Sequence, residues 1–196
     1  MIEMPAFVVA VAALLSVPGP TNTLLAASGA AIGIRSSLRL VPMEILGYLV
    51  AIGCLLAVVE PLTASHPLVP IASKLLASAY LAWSAAQLWR DGGAELMKIP
   101  APASPGRLFL TTLLNPKALI FAFVIFPHTG LATLAPHASV FSALVAVIGG
   151  GWIALGSLIA HSAAGSATPR RISRFAAIAL GIFATLIAGS AVAALR

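Results

Sequence analysis

Six apolar stretches, at about 5–30, 40–60, 68–89, 108–130, 138–162 and 173–195, fill most of the chain and leave short polar gaps between them. A helix that crosses a bilayer needs about 20 apolar residues. Each stretch therefore suffices for one crossing, and together they leave no room for a soluble domain. Charged residues make up 8% of the 196, against roughly 25% in a soluble domain, and the mean hydropathy is +1.06. A water-soluble fold could not clothe its surface from that supply. The apolar runs do not alternate as barrel strands do, and an open strand edge in lipid would leave backbone groups unsatisfied. The expectation is an all-α membrane protein of six transmembrane helices, one domain over residues 1–196.

The bases orient these helices. Gap one carries Arg35 and Arg39, gap three Arg90, Lys98 and Arg107, and gap five Arg170, Arg171 and Arg174. Gap two has only Lys74 and gap four none, so eight bases face Lys74 and the terminal Arg196 across the membrane. The excess of Lys and Arg marks the cytoplasmic side, which puts gaps one, three and five inside and both termini outside. Trp89 beside Arg90 fits an interface anchor. The first stretch lacks the basic start of a secretory signal, since Glu3 is its only charge, and it runs on past Pro20. It is expected to be retained as a membrane helix.

Three helices over about 1–90, a cytoplasmic linker at about 91–106, and three more over about 107–196 make two halves of odd helix number. The second half must then insert upside down relative to the first. Two inverted three-helix repeats are a common plan of secondary transporters.

Each half opens with an interrupted helix. Pro18-Gly19-Pro20, followed by Thr21, Asn22 and Thr23, removes backbone donors and breaks the first helix. Asn115-Pro116-Lys117 interrupts the fourth. At a rise of about 1.5 Å per residue the first break lies roughly 20 Å in from Pro5, and the second about 12–15 Å beyond Arg107. Asn before Pro is a usual way to start a helix, so each break reads as the start of a half-helix deep in the membrane. Such starts carry free amides and partial positive charge. Two of them facing each other suit a carboxylate, with Asn22, Thr23 and Asn115 as orienting groups and Lys117 as a full positive charge. Proline in a membrane helix is often only a kink, and Lys117 is long enough to snorkel to the interface. Interruptions at matching positions of both halves favour the binding-site reading, which takes Pro18, Gly19, Pro20, Asn22, Thr23, Asn115, Pro116 and Lys117 as substrate-binding.

Pro18-Gly19-Pro20, the stretch from Tyr80-Leu81-Ala82-Trp83 to Gln87-Leu88-Trp89-Arg90, and Asn115-Pro116-Lys117-Ala118 with its apolar run to Pro127 together resemble the LysE/RhtB amino-acid exporter family. The resemblance covers essentially the whole chain, and Asn-Pro-Lys-Ala before a Phe-rich run is its most specific part. It implies a six-helix inner-membrane exporter of amino acids or related metabolites, driven by the proton gradient. The chain departs from the family at His128, where glutamine is frequent, and at Ser37, Met43 and Ser84, where glycine is frequent. Pro42 and Glu44 give the second helix its own character. These departures leave the fold intact and put the substrate in doubt.

Glu44, one or two turns into the second helix, is a candidate for proton coupling, because a carboxyl group within a membrane is costly and usually functional. It could titrate, pair with Lys117, or sit at the interface with Arg35 or Arg39. Glu60, at the outer end of the same helix, is expected to be solvated. His128, His137 and His161 read as interfacial. Gly149-Gly150-Gly151 and the row Ala177, Gly181, Ala184, Ala188 read as surfaces for close helix packing.

Other functions find little support. The four histidines lack metal-ligand spacing, so neither a metal nor a cofactor is expected. The net charge of +6 is not gathered into a nucleic-acid patch. No hydrolase or metalloprotease motif nominates an enzyme. A thiol-redox transporter of similar plan conflicts with the single Cys54. A non-transporting membrane scaffold or assembly subunit stays open, and predicts that the breaks are kinks without function. The expected partners are an amino acid or derivative, protons and the lipid bilayer; small transporters often dimerise, so a homodimer also stays open.

Overall fold

The computed structural model describes residues 3–66, 68–91, 102–127, 131–161 and 167–193. Among them there is no strand, and the helices follow one another along the chain. They are α1 (Met4–Ser16), α2 (Pro20–Ser37), α3 (Val41–Ser65), α4 (Val69–Asp91), α5 (Pro105–Leu113), α6 (Lys117–Ile120), α7 (Leu131–His161) and α8 (Ala167–Ala193). A single 3-10 turn, Leu38–Leu40, joins α2 to α3, and α6 runs on into one π-helical turn, Phe121–Ile125. By length and apolarity Pro20–Ala57 and Leu134–His161 can each cross a membrane. The pair Pro105–Leu113 and Lys117–Ile125, bent by 50°, makes a third candidate.

The sequence punctuation locates the breaks well and the gaps less well. Within α2 the chain kinks at Gly33, whose φ of 77° favours glycine, and the basic stretch after it stays helical. Pro61, read as loop, lies inside α3, and Pro136 lies inside α7, which begins at Leu131 rather than near 138. Most of the linker, 92–101, lies outside the described residues, as does His128. Its end does not: the amide of Ala103 donates to Ser28 Oγ on α2 at 3.0 Å. Ser104 then caps α5, accepting the Arg107 amide at 3.2 Å ahead of Pro105.

Apolar spacing decides which faces meet. Phe7, Val11, Leu14 and Leu15 form one buried stripe of α1, and α2 is buried on nearly every side. It crosses α7 at backbone contact. Gly29 lies on the carbonyl of Ile153, and Gly156 on the carbonyl of Ala26. Each glycine thus meets the carbonyl three residues before the other. Similarly, Gly47 of α3 faces the Phe109 carbonyl and Thr112 of α5, where a Cβ would sit 3.0 and 2.8 Å away. The expected glycine run behaves differently. Gly149 faces the Glu44 carboxyl group, and Gly151 faces open space. The small row on α8 packs in part: Ala177 and Ala184 are buried on a helix that lies along α4, whereas Gly181 faces open space and Ala188 is half-buried. Arg174 of α8 stands 5.4 Å over the Trp89 ring at the end of α4, a cation–π contact.

Two apolar clusters result. One gathers Phe7, Phe121, Phe126 and Phe141 edge to face, with centroids 4.9–5.4 Å apart along the chain of contacts. The other gathers Leu24, Leu25, Leu40, Leu108, Trp152 and Ile153.

Candidate functional site

Polar side chains collect where the two broken helices meet. α1 ends at Ser16 with Val17 as its cap, and α2 begins at Pro20, so Val17 to Gly19 form the first break. α5 ends at Leu113, and Asn115 Oδ1 accepts the amide of Lys117, the first residue of α6, at 3.0 Å across Pro116, which holds the cap position. Proline ahead of the new turn loses no helical donor at that position.

The two new helix starts abut. Asn115 Nδ2 donates to Thr21 Oγ1 at 2.9 Å and to the Tyr48 hydroxyl at 3.2 Å. Thr112 Oγ1 donates to the Leu108 carbonyl at 2.9 Å and lies 3.3 Å from Thr21 Oγ1. Lys117 Nζ donates to the Val17 carbonyl, and its stem passes over Gly19, where a Cβ would stand 3.3 Å from Cε. The ammonium thus does not snorkel to an interface. It is 4% exposed and bound to the carbonyl end of α1, the partly negative end of a helix.

Asn22 lies in the same layer with its amide engaged. Nδ2 donates to the carbonyls of Leu15 at 2.8 Å and Val17 at 2.6 Å. Those carbonyls have lost their helical donors at the break, and leaving them bare in an apolar interior would cost several kcal/mol each. Asn22 therefore ties the end of α1 to the start of α2. Thr23, by contrast, is half-buried and its side chain makes no hydrogen bond to a described residue.

Glu44 is 1% exposed, and neither Arg35 nor Arg39 reaches it; both are exposed. It shares an α3 face with Tyr48 one turn on, and its nearest full charge is Lys117, with which it interacts electrostatically without an ion-pair contact. Its Oε2 is buried without a hydrogen-bond partner. Gly149 makes the room for it, since a Cβ there would lie 2.5 Å from Oε2. The side chain of Glu60 is outside the described residues. His137 stacks edge-on against Phe7 at 4.7 Å, and His161 Nδ1 lies 2.7 Å from the Ser157 carbonyl, so both contact their own helical surroundings. No group of metal-ligating side chains occurs among the described residues.

Thr21, Tyr48 and Thr112 belong to this layer, yet Tyr48 and Thr112 lie in no sequence motif, and Thr21 figures in the sequence only as part of the first break, not as an expected site residue. The only signal was polarity inside apolar stretches. Beside the layer lies an open, mostly apolar groove of about 340 Å³, lined by Ala51, Cys54, Leu113, Leu114 and Asn115 among others. It touches the second break through Asn115 and reaches neither Glu44 nor Lys117. The charged layer itself is closed, with Glu44 and Lys117 both buried.

A family model described as LysE type translocator matches residues 12–196. No curated protein and no solved structure matches the chain. The chain belongs to the LysE type translocator family: an integral membrane transporter of small molecules, and not an enzyme.

Proposed function

We propose that this translocator exports amino acids, or close derivatives, across the cytoplasmic membrane in exchange for protons. The reading rests on one observation above all. The starts of α2 and α6 meet in a buried layer, with Lys117 and the Asn115 amide between them and a carboxyl group, Glu44, in electrostatic reach. The leading amides of α2, at Thr21 and Asn22, precede any intrahelical acceptor. Together with Lys117 they suit a substrate carboxylate. The binding residues are Pro18, Gly19, Pro20, Asn22, Thr23, Asn115, Pro116 and Lys117, with Glu44 carrying the coupling proton. Asn22 and Asn115 serve by holding the two starts open towards each other, and Pro18, Gly19, Pro20 and Pro116 by making the breaks.

The same reading takes α1–α2, α3 and α4 as one three-helix half and α5–α6, α7 and α8 as its inverted copy, in one domain of six spans. Helix partners support it. α2 pairs with α7, α3 with α5, and α4 with α8, which is the pattern left unchanged when the first span is exchanged for the fourth, the second for the fifth and the third for the sixth. Bases at Arg35, Arg39, Arg90 and Arg174 then lie inside, and both termini outside.

The test is efflux from proteoliposomes loaded with the twenty common L-amino acids, under an imposed proton gradient, acid outside. At least one amino acid should leave faster than from empty-membrane controls, and dissipating the gradient should stop uphill release. Lys117→Met should cut that release by at least about 100-fold, matching about 3 kcal/mol for a lost charge-assisted contact, while still inserting and purifying as a folded protein. Release that is identical with and without the protein across all twenty would end the amino-acid reading. Wild-type efflux from Lys117→Met would remove Lys117 from the site.

A further inference from the structure

The unmatched feature of the layer is Glu44 Oε2. A carboxyl group enclosed by protein inside a membrane must hold a proton or a cation, since a bare buried charge costs many kcal/mol. The resident cation does not supply it. Lys117 Nζ is bound to the Val17 carbonyl and makes no ion pair with Glu44. From the elements packed around it, the charged or titratable groups facing Glu44 are Lys117 at the start of α6 and Tyr48 on its own helix. α7 presents Gly149, and α2 presents Leu25 beside it.

That environment discriminates among visitors. A metal cation gathers six or more oxygens, and the glycine and leucine faces beside Oε2 offer none from their side chains. An ammonium group needs fewer acceptors: the Glu44 carboxylate supplies the charge, and Tyr48, one turn on along α3 and in electrostatic reach of it, carries a hydroxyl that accepts a hydrogen bond from Asn115. The far pole of the layer, Lys117 and the α2 start, already suits a carboxylate. The layer thus carries a positive end and a negative end, as a zwitterion does.

Resting on the amino-acid reading above, we propose that Glu44 binds the ammonium group of the substrate, and that a proton and this ammonium take turns on the same carboxyl group. The exchange balances as Glu44–COOH + R–NH3⁺ giving Glu44–COO⁻ paired with R–NH3⁺, plus one H⁺ released to the side from which the substrate enters. A proton arriving from the other side then displaces the ammonium and frees the substrate there. Coupling comes from competition at one site, so neither ligand crosses with the other. The Gly149 notch leaves Oε2 uncapped for both.

Counterflow separates this from a role in proton carriage alone. An amino acid that wild-type proteoliposomes release is placed on both sides, without a gradient, and exchange of labelled for unlabelled substrate is followed. Glu44→Gln should lose counterflow by at least about tenfold, and Glu44→Asp, which keeps the carboxylate, should retain much of it. In wild type the 2-hydroxy acid analogue, with hydroxyl in place of ammonium, should fail to compete. A second measurement needs no variant: saturating the purified wild-type protein with the amino acid in weak buffer should release about one proton per molecule bound, as linkage requires of two ligands that exclude each other. Wild-type counterflow in Glu44→Gln, or substrate binding without proton release, overturns the proposal while the exporter reading stands. Failure of wild type to release any of the twenty amino acids overturns that reading and takes this proposal with it.

Discussion

Replacing Gly156 with alanine places a methyl group against the Ala26 carbonyl, in a space that holds no side chain. The obstacle is backbone of α2, which cannot rotate away as a side chain would. Non-bonded heavy atoms settle at about 3.5 Å, so α2 and α7 must part by on the order of 1 Å. Inserting a methyl into a packed interior costs about 1–3 kcal/mol, and the rigid neighbour argues for the upper end. A loss of 3 kcal/mol is roughly 150-fold in the folding equilibrium. Unfolding in mixed micelles with rising SDS, followed through buried Trp152, reads that loss as a shifted midpoint. Gly29 meets the Ile153 carbonyl in the same crossing. Once one methyl has opened the crossing, the second adds less, so Gly29→Ala with Gly156→Ala should fall short of the sum by about 0.5 kcal/mol or more. Gly151→Ala, which faces open space, should stay within about 0.5 kcal/mol of wild type. A wild-type midpoint for Gly156→Ala, or a double variant equal to the sum, would refute a backbone-tight crossing.

Asn22→Ala bares the carbonyl of Leu15, leaves that of Val17 to Lys117 alone, and should cost about 1–3 kcal/mol in the same assay; Asn22→Asp keeps the shape without the donors and should not restore it. A midpoint unmoved by either change would mean that the break is held by something else. Gly149→Ala presses on Glu44 Oε2, whereas a Cβ at Gly150 only reaches Leu38 at 3.9 Å. The first should reduce proteoliposome release by about tenfold or more and the second should not, the difference being at least about 1.4 kcal/mol; equal activity in the two would separate Oε2 from transport.

The breaks were legible in the sequence because proline and glycine act through the local backbone. Val17 to Gly19 and Asn115-Pro116 interrupt the helices where the punctuation says, and Asn115 accepts the first helical amide from one residue before the cap position, which Pro116 holds. What the layer does with its polar atoms was not legible, because that depends on which helices meet. Asn22 reads as a ligand until α1 is seen ending against it. Glu44 reads as an interfacial residue as readily as a buried one, until Gly149 is seen across from it. The glycines tell the same story: the run at 149–151 is conspicuous as a string, while the pair at 29 and 156 makes the tight crossing. Pattern along one helix cannot reveal the carbonyl of another. Gap lengths were misread for a different reason. In a chain this apolar, proline and small residues near a helix end do not distinguish the last turn from the first residues of a loop, so Pro61 and Pro136 fall inside helices.

On the proposed reading, a solute passing through the polar layer has to part buried apolar residues, since those of both clusters are closed against solvent. The tight crossings limit where that opening can occur. α2 against α7, and α3 against α5 at Gly47, touch through backbone, and such contacts either hold or separate, with little room to slide. α1 and the α6 segment are different. Each joins its neighbour through a break, and what fastens α1 at its break is hydrogen bonding from Asn22 and Lys117 to its last carbonyls. On the proposed reading, a substrate carboxylate takes Lys117 from Val17. Binding therefore removes one of the ties that hold α1 in place, and Asn22 keeps the chain from coming apart while it moves. On that reading the ligand that needs α1 to move is the one that loosens it, because the Lys117 ammonium that is bound to the end of α1 would also be the receptor for the carboxylate.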